Sequence, residues 1–107
     1  MNAKFQKYID TGWINLNSAI KYRKINGIVY VNVLSSANIK LEQNKYTVVG
    51  TLPVGFRPNT KMQFVFHTVG SEMLGCSAYI DESGNIALYP YNRIAEYWGF
   101  STSFPVA

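Results

Sequence analysis

Two neighbouring residues constrain this chain more than any others. Asn26-Gly27 stands between Ala19–Ile25 and Ile28–Ser35, and both runs are rich in residues that favour strands. A two-residue type I′ hairpin needs φ > 0 at both central positions, and Asn-Gly meets that need at low cost. The register follows by counting outward. Ile25 faces Ile28, Lys24 faces Val29, Arg23 faces Tyr30, Tyr22 faces Val31, Lys21 faces Asn32 and Ile20 faces Val33. Alternation then puts Ile20, Tyr22, Val29, Val31 and Val33 on one face, and Lys21, Arg23, Asn32 and Tyr30 on the other. A slip of one residue would bury the charged set, so the pattern specifies the register.

The rest of the chain reads in the same way. Asp81-Glu82-Ser83-Gly84-Asn85 separates Met73–Ile80 from Ile86–Tyr89, and Gly84 can supply the φ > 0 position of a longer hairpin loop. Cys76, Ala78 and Ile80 point one way, Ser77, Tyr79 and Asp81 the other. Met62, Phe64, Phe66 and Thr68 share a face opposite Gln63, Val65 and His67. In the last segment Trp98, Phe100, Thr102, Phe104 and Val106 share one face, and Gly99, Ser101, Ser103 and Pro105 the other. Small residues on that outer face suit a surface packed against another one. Lys45–Leu52 and Trp13–Leu16 add strands, and Asn92–Tyr97 suits a single helical turn. Residues 1–11 suit either a short helix carrying Phe5, Tyr8 and Ile9 or a loosely ordered terminus. About eight short strands with regular turn signals predict an all-β antiparallel sandwich or barrel.

Composition bounds the function. With 107 residues, 48% apolar and 15% charged, the chain suits one folded domain that gains stability by association. No apolar run approaches the ~20 residues of a membrane span, and Met1–Asp10 lacks the apolar centre of a signal peptide. The net charge of +4 comes from scattered lysines and arginines, clustered only at Lys21–Lys24, so nucleic acid is not an expected partner. One cysteine, Cys76, excludes a disulfide within the chain, and one histidine, His67, excludes two-histidine metal motifs. No metal or cofactor is expected. A serine or cysteine nucleophile would have His67 as its only histidine base, and Cys76 lies on the inward face. A glycosidase needs two carboxylates facing each other across a cleft, and nothing in the sequence brings two together. No catalytic residue is assigned.

Gly50 to Pro58 forms an unusual turn segment. Pro53 presets φ, Gly55 completes the turn, and Pro58 holds Arg57 extended. The chain is expected to cross here from one sheet to the other. This segment follows Trp13 and Lys21-Tyr22-Arg23-Lys24 through Tyr30, and precedes Ile80 through Ile86 and Trp98 through Val106. In that order and spacing the motifs resemble the C-terminal domain of tail and baseplate proteins from phages of Gram-positive bacteria. The resemblance covers residues 12–107, with 1–11 as an N-terminal extension or stem remnant. It implies a jelly-roll-like β-sandwich at a tail tip or baseplate of the virion, made in the host cytoplasm. It also implies a homotrimer, host cell-wall saccharide as ligand, and other virion tail or baseplate proteins as neighbours. The same domain type serves purely structural baseplate and fibre parts, so both readings stand. Relatives carry a longer stem upstream, so this chain is expected to be a C-terminal fragment or a short stand-alone protein.

A saccharide site needs flat aromatic faces and a few convergent polar groups. Tyr89-Pro90-Tyr91-Asn92-Arg93, followed by Glu96 and Tyr97, is the richest such segment. Tyr89, Tyr91, Arg93 and Tyr97 are the main candidates, with plugging of the sandwich end as the alternative for Tyr89 and Tyr97. His67 is a candidate as an exposed or interfacial strand residue, and Asp81 as a sugar-hydroxyl or calcium ligand rather than a turn stabiliser. Arg23 and Tyr30 are expected to form either a surface cation–π pair or part of a trimer contact.

Overall fold

The computed structural model describes residues 9–36, 38–67, 75–91 and 98–106, with only the backbone for Phe66 and His67. The strands are β1 (Ile14–Asn15), β2 (Ile20–Ile25), β3 (Ile28–Leu34), β4 (Thr47–Thr51), β5 (Met62–His67), β6 (Gly75–Ile80), β7 (Asn85–Pro90) and β8 (Gly99–Pro105). They form two antiparallel four-stranded sheets, ordered β1-β2-β3-β8 and β4-β7-β6-β5. No helix occurs among the described residues. The chain is an all-β sandwich of eight described strands, as the turn spacing predicts.

The second sheet is a Greek key, with β5, β6 and β7 as successive neighbours and β4 returning beside β7. The first sheet is a plain three-strand meander closed by β8. A full jelly roll has two Greek keys, so the likeness to that order lies in the second sheet.

The first hairpin has the register counted from its turn, from Ile25↔Ile28 to Ile20↔Val33. Asn26 and Gly27 sit at φ 48° and 83°, as a type I′ turn demands. Ile20, Val29, Val31 and Val33 face inward and share one core with Ile80, Ile86 and Leu88 of the second sheet and with Leu52 just after β4, all fully buried. Trp98 and Phe104 are buried beside them, and Phe100 meets Phe64 edge to face at 4.8 Å. Cys76 is buried in this core, where the alternation of β6 places it. Burial pushes its thiol pKa up to about 11, against a backbone hydrogen bond at Tyr89 that lowers it.

The segment Gly50–Pro58 does not change sheets, contrary to the reading of the sequence. It joins β4 and β5, the two edges of the same sheet, across one end of the sandwich. The reason is local anchoring. The Leu52 N–H donates to the Gly84 carbonyl at 2.9 Å, and Arg57 Nε donates to the Leu52 carbonyl at 2.8 Å. The first bond ties the segment to the β6–β7 loop, within its own sheet, and the second braces the segment against itself. Gly84 has φ 87°, and a Cβ there would lie 2.5 Å from the Leu52 oxygen. Two motifs that look separate in the sequence therefore form one corner. Pro53 opens its turn: Phe56 N–H donates to the Pro53 carbonyl at 3.1 Å, with Gly55 at φ 94°. Phe56 then packs against Tyr22 at 4.9 Å, and Lys24 donates to the Gly55 carbonyl at 2.7 Å.

Ile9–Thr11 run along the end of β2. Thr11 N–H donates to the Lys24 carbonyl at 3.0 Å, and Asn26 N–H to the Ile9 carbonyl at 2.9 Å. Asp10 holds Arg23 through both carboxylate oxygens, with the Nε contact at 2.8 Å. The hydrogen bond from Arg23 and a second from the Gly12 N–H lower the Asp10 pKa to about 2, despite some opposing desolvation. The helix considered for residues 1–11 and the helical turn expected at 92–97 fall largely or wholly outside the described residues.

Candidate functional site: a tyrosine face on the second sheet

The outward residues of the second sheet follow from its register. One row across β5, β6 and β7 reads Val65, Ser77 and Tyr89, and Tyr46 lies next to it beside β4. The adjacent row reads Gln63, Tyr79, Ala87 and Val48. Tyr91 follows β7 and donates its backbone N–H to the Gly75 carbonyl at 3.2 Å.

These positions bring four tyrosine rings together. Tyr46 lies 5.0 Å from Tyr79 and 5.0 Å from Tyr89, and Tyr89 lies 5.3 Å from Tyr91, with ring planes inclined at 58–62°. Such spacing and tilt are favourable for aromatic pairs. Small residues make room for the rings. Ala87 stands between Val48 and Tyr79 and is fully covered. Gly75 lies under Tyr91, where an added Cβ would come within 3.2 Å of the ring. The Tyr91 and Ser77 hydroxyls share a hydrogen bond. Lys61 holds its ammonium 4.3 Å from the Tyr79 ring centre. Tyr46 and Tyr91 are each 40% exposed, Val48 50% and Val65 69%. The result is a solvent-facing aromatic platform with hydroxyls along it and a cation over one ring. It offers apolar ring faces, hydrogen-bond donors and acceptors, and one positive charge.

The sequence candidates meet different fates here. Tyr89 and Tyr91 belong to the platform, and Tyr89 lies on the outer sheet face rather than plugging the sandwich end. Arg93 and Tyr97 lie outside the described residues. His67 lies at the end of β5, opposite Gly75, and only its backbone is described. The Asp81 carboxylate is engaged within its own loop. It accepts from the backbone N–H groups of Ser83 at 3.0 Å and Asn85 at 2.9 Å, and from the Asn85 amide at 3.3 Å. Arg23 goes to Asp10 and lies 5.8 Å from the Trp13 ring centre. Among the described residues, no three His, Cys, Asp or Glu side chains are grouped to hold a metal ion.

Tyr46 and Tyr79 were not among the sequence candidates. Tyr79 had a readable signal, because alternation puts it outward with Ser77. Tyr46 had none, because its position depends on the pairing of β4 with β7, whose partners are far apart in sequence (Thr47 with Leu88, Thr51 with Asn85) and shifted by a bulge between Val48 and Gly50.

No protein-family model, curated protein or solved structure matches this chain.

Proposed function

We propose that this chain is a binding module that holds host cell-surface saccharide on the tyrosine face, as a tip domain of a phage tail or baseplate. The observation that carries the reading is the platform itself, four touching tyrosine rings on an outer sheet face. Exposed clusters of this kind mark recognition surfaces. Tyrosine rings match the C–H faces of sugars, and the Ser77 and tyrosine hydroxyls match their hydroxyl groups. The phage setting rests on the motif series from Trp13 to Val106. In this reading the domain acts as a homotrimer in the virion, so weak single sites combine through avidity. The side of the sandwich closed by β5 and β8 is the surface we assign to self-contact. It carries exposed Ser101 and Ser103 and a cleft of about 370 Å³ lined by Pro58, Thr60, Met62 and Phe104.

The test is adsorption of the purified protein to intact Gram-positive cells and to their isolated wall polysaccharide. Tyr46→Ala with Tyr91→Ala is expected to lower binding about five- to 150-fold with the fold intact, since stacking contacts are worth about 0.5–1.5 kcal/mol each. No adsorption by a folded, oligomeric parent protein would overturn the reading.

A second reading has its own support. Val48 and Val65 are exposed aliphatic neighbours of the rings, which a protein partner would bury. A structural baseplate or fibre part would then use this face against another virion protein. Co-purification with baseplate components, lost in the same tyrosine variants and without cell adsorption, would decide for it.

A further inference from the structure

The opposite face of the sandwich carries a second constellation. The register of the first sheet puts Asn15, Lys21, Asn32 and Ser101 in one row across β1, β2, β3 and β8. All four alternate outward, away from Ile14, Ile20, Val31 and Phe100. Asn and Lys are poor strand formers, yet two Asn flank a Lys here where Thr, Val or Tyr would favour the sheet. The row borders a surface depression of about 140 Å³, lined by Asn15, Asn17, Ser18, Lys21, Asn32 and Leu34 among others.

The polar groups of this depression divide into used and unused ones. Asn17 is structural: its Oδ1 accepts from the Ala19 and Ile20 N–H groups at 2.8 and 2.9 Å, and its Nδ2 donates to the Val49 carbonyl at 2.9 Å. The Asn15 and Asn32 amides make no hydrogen bond among the described residues, and Lys21 meets no carboxylate among them. The neighbouring cation differs, because Asp10 answers Arg23. Trp13, 47% exposed, stands 5.1 Å from the Lys21 ammonium.

The chemistry of a ligand follows from these groups. Each amide offers two donors and an acceptor oxygen, a set that matches sugar hydroxyls. An ammonium without a counter-charge favours an anionic oxygen. Trp13 adds an apolar face beside them. The volume is well below the ~300–1,000 Å³ of pockets that enclose drug-sized ligands, so it suits one sugar unit. We infer that this depression binds the acid-bearing unit of an anionic saccharide, with Lys21 on the acid group and Asn15 and Asn32 on the hydroxyls. The site stands independently of the tyrosine face, on the other side of the core.

The test is an NMR titration of the ¹⁵N-labelled full chain with sodium glucuronate, glucose 6-phosphate and glucose. The acids are expected to shift the backbone amides of Asn15, Lys21 and Asn32 and the side-chain amides of both Asn. Glucose should do so about tenfold more weakly, the size of one charge-assisted hydrogen bond. Response to both acids assigns the site to the acid group itself, and response to one identifies carboxylate or phosphate as the form taken. Lys21→Gln should erase the preference for the acids, and Asn32→Ala should weaken all three sugars. Equal shifts from glucose and the acids, shifts confined to the second sheet, no shifts, or a folded Lys21→Gln protein that titrates like the parent would each overturn the inference.

Discussion

The two sheets share one core and turn opposite chemistries outward. The second sheet shows four touching tyrosines with Val48 and Val65, an aromatic and apolar surface. The first shows Asn15, Lys21, Asn32, Ser101 and Ser103, a polar surface with Trp13 and Tyr30 set into it. The inward residues of both sheets are alike, chiefly valine, isoleucine and leucine. The difference teaches where function resides in a small sandwich. Period-two alternation fixes the core, and the outward half of each strand is left free to carry recognition.

The contrast can be broken at a single pair of neighbours. Leu88 is fully buried, and Tyr89, the next residue, faces out. Leu88→Ala should destabilise the fold by about 2–5 kcal/mol. Tyr89→Ala, which removes two ring pairs from a solvent-facing surface, should cost less, roughly 1–2 kcal/mol of stability, and should weaken ligand binding. Equal losses of stability in urea denaturation would show that the tyrosine face is structural. A second pair concerns the corner that ends the second sheet. Gly84→Ala meets both a positive φ and the Leu52 oxygen at 2.5 Å, whereas Gly27→Ala meets a positive φ and nothing nearer than 3.8 Å. Gly27→Ala should cost about 1–2 kcal/mol, and Gly84→Ala clearly more, measured the same way.

Smaller effects separate the outer face of the first sheet from the core. Asp10 has its pKa lowered from 3.8 to about 2 in the folded chain. Its contribution is therefore complete above pH 3.8 and is lost as pH falls through about 2. Asp10→Asn should lower stability by the same amount at every pH above 3.8, and the deficit should close as pH falls through about 2, which flattens that part of the acid unfolding profile. Cys76 has the opposite sign. Its pKa is raised from 9.0 to about 11, so the stability tied to the neutral thiol is present below pH 9 and is lost as pH rises through 11. At neutral pH the thiol should resist a disulfide reagent until the protein unfolds. Rapid labelling of the folded chain would contradict its placement in the core.

Much of the fold was legible because it is local. Asn26-Gly27 set a register that the structure reproduces pair by pair. The alternation of Trp98 to Val106 predicted the buried Trp98 and Phe104 and put Ser101 and Ser103 on the outer face, where they are exposed rather than packed within the chain. The crossing segment was half legible. Pro53 and Gly55 announce a bend, but its destination is set by the bond from Leu52 to Gly84, thirty-two residues away. The candidate site was legible to the same degree. Tyr89 and Tyr91 stood out as a cluster in sequence, while Tyr46 enters through the pairing of β4 with β7. Non-local pairing leaves no periodic trace in the partner segment, and that is why Tyr46 escaped the sequence, while Tyr79 was readable from the alternation of β6.

The central claim is that the tyrosine face binds the ligand. The chain has eight tyrosines, four of which form the platform, while Tyr22 is in the core and Tyr30 lies on the opposite sheet. Ring-labelled tyrosine NMR, with soluble host wall polysaccharide added, reads them separately. We expect the resonances of Tyr46, Tyr79, Tyr89 and Tyr91 to shift together, with Tyr22 and Tyr30 unmoved. Binding that leaves those four unchanged would contradict the account.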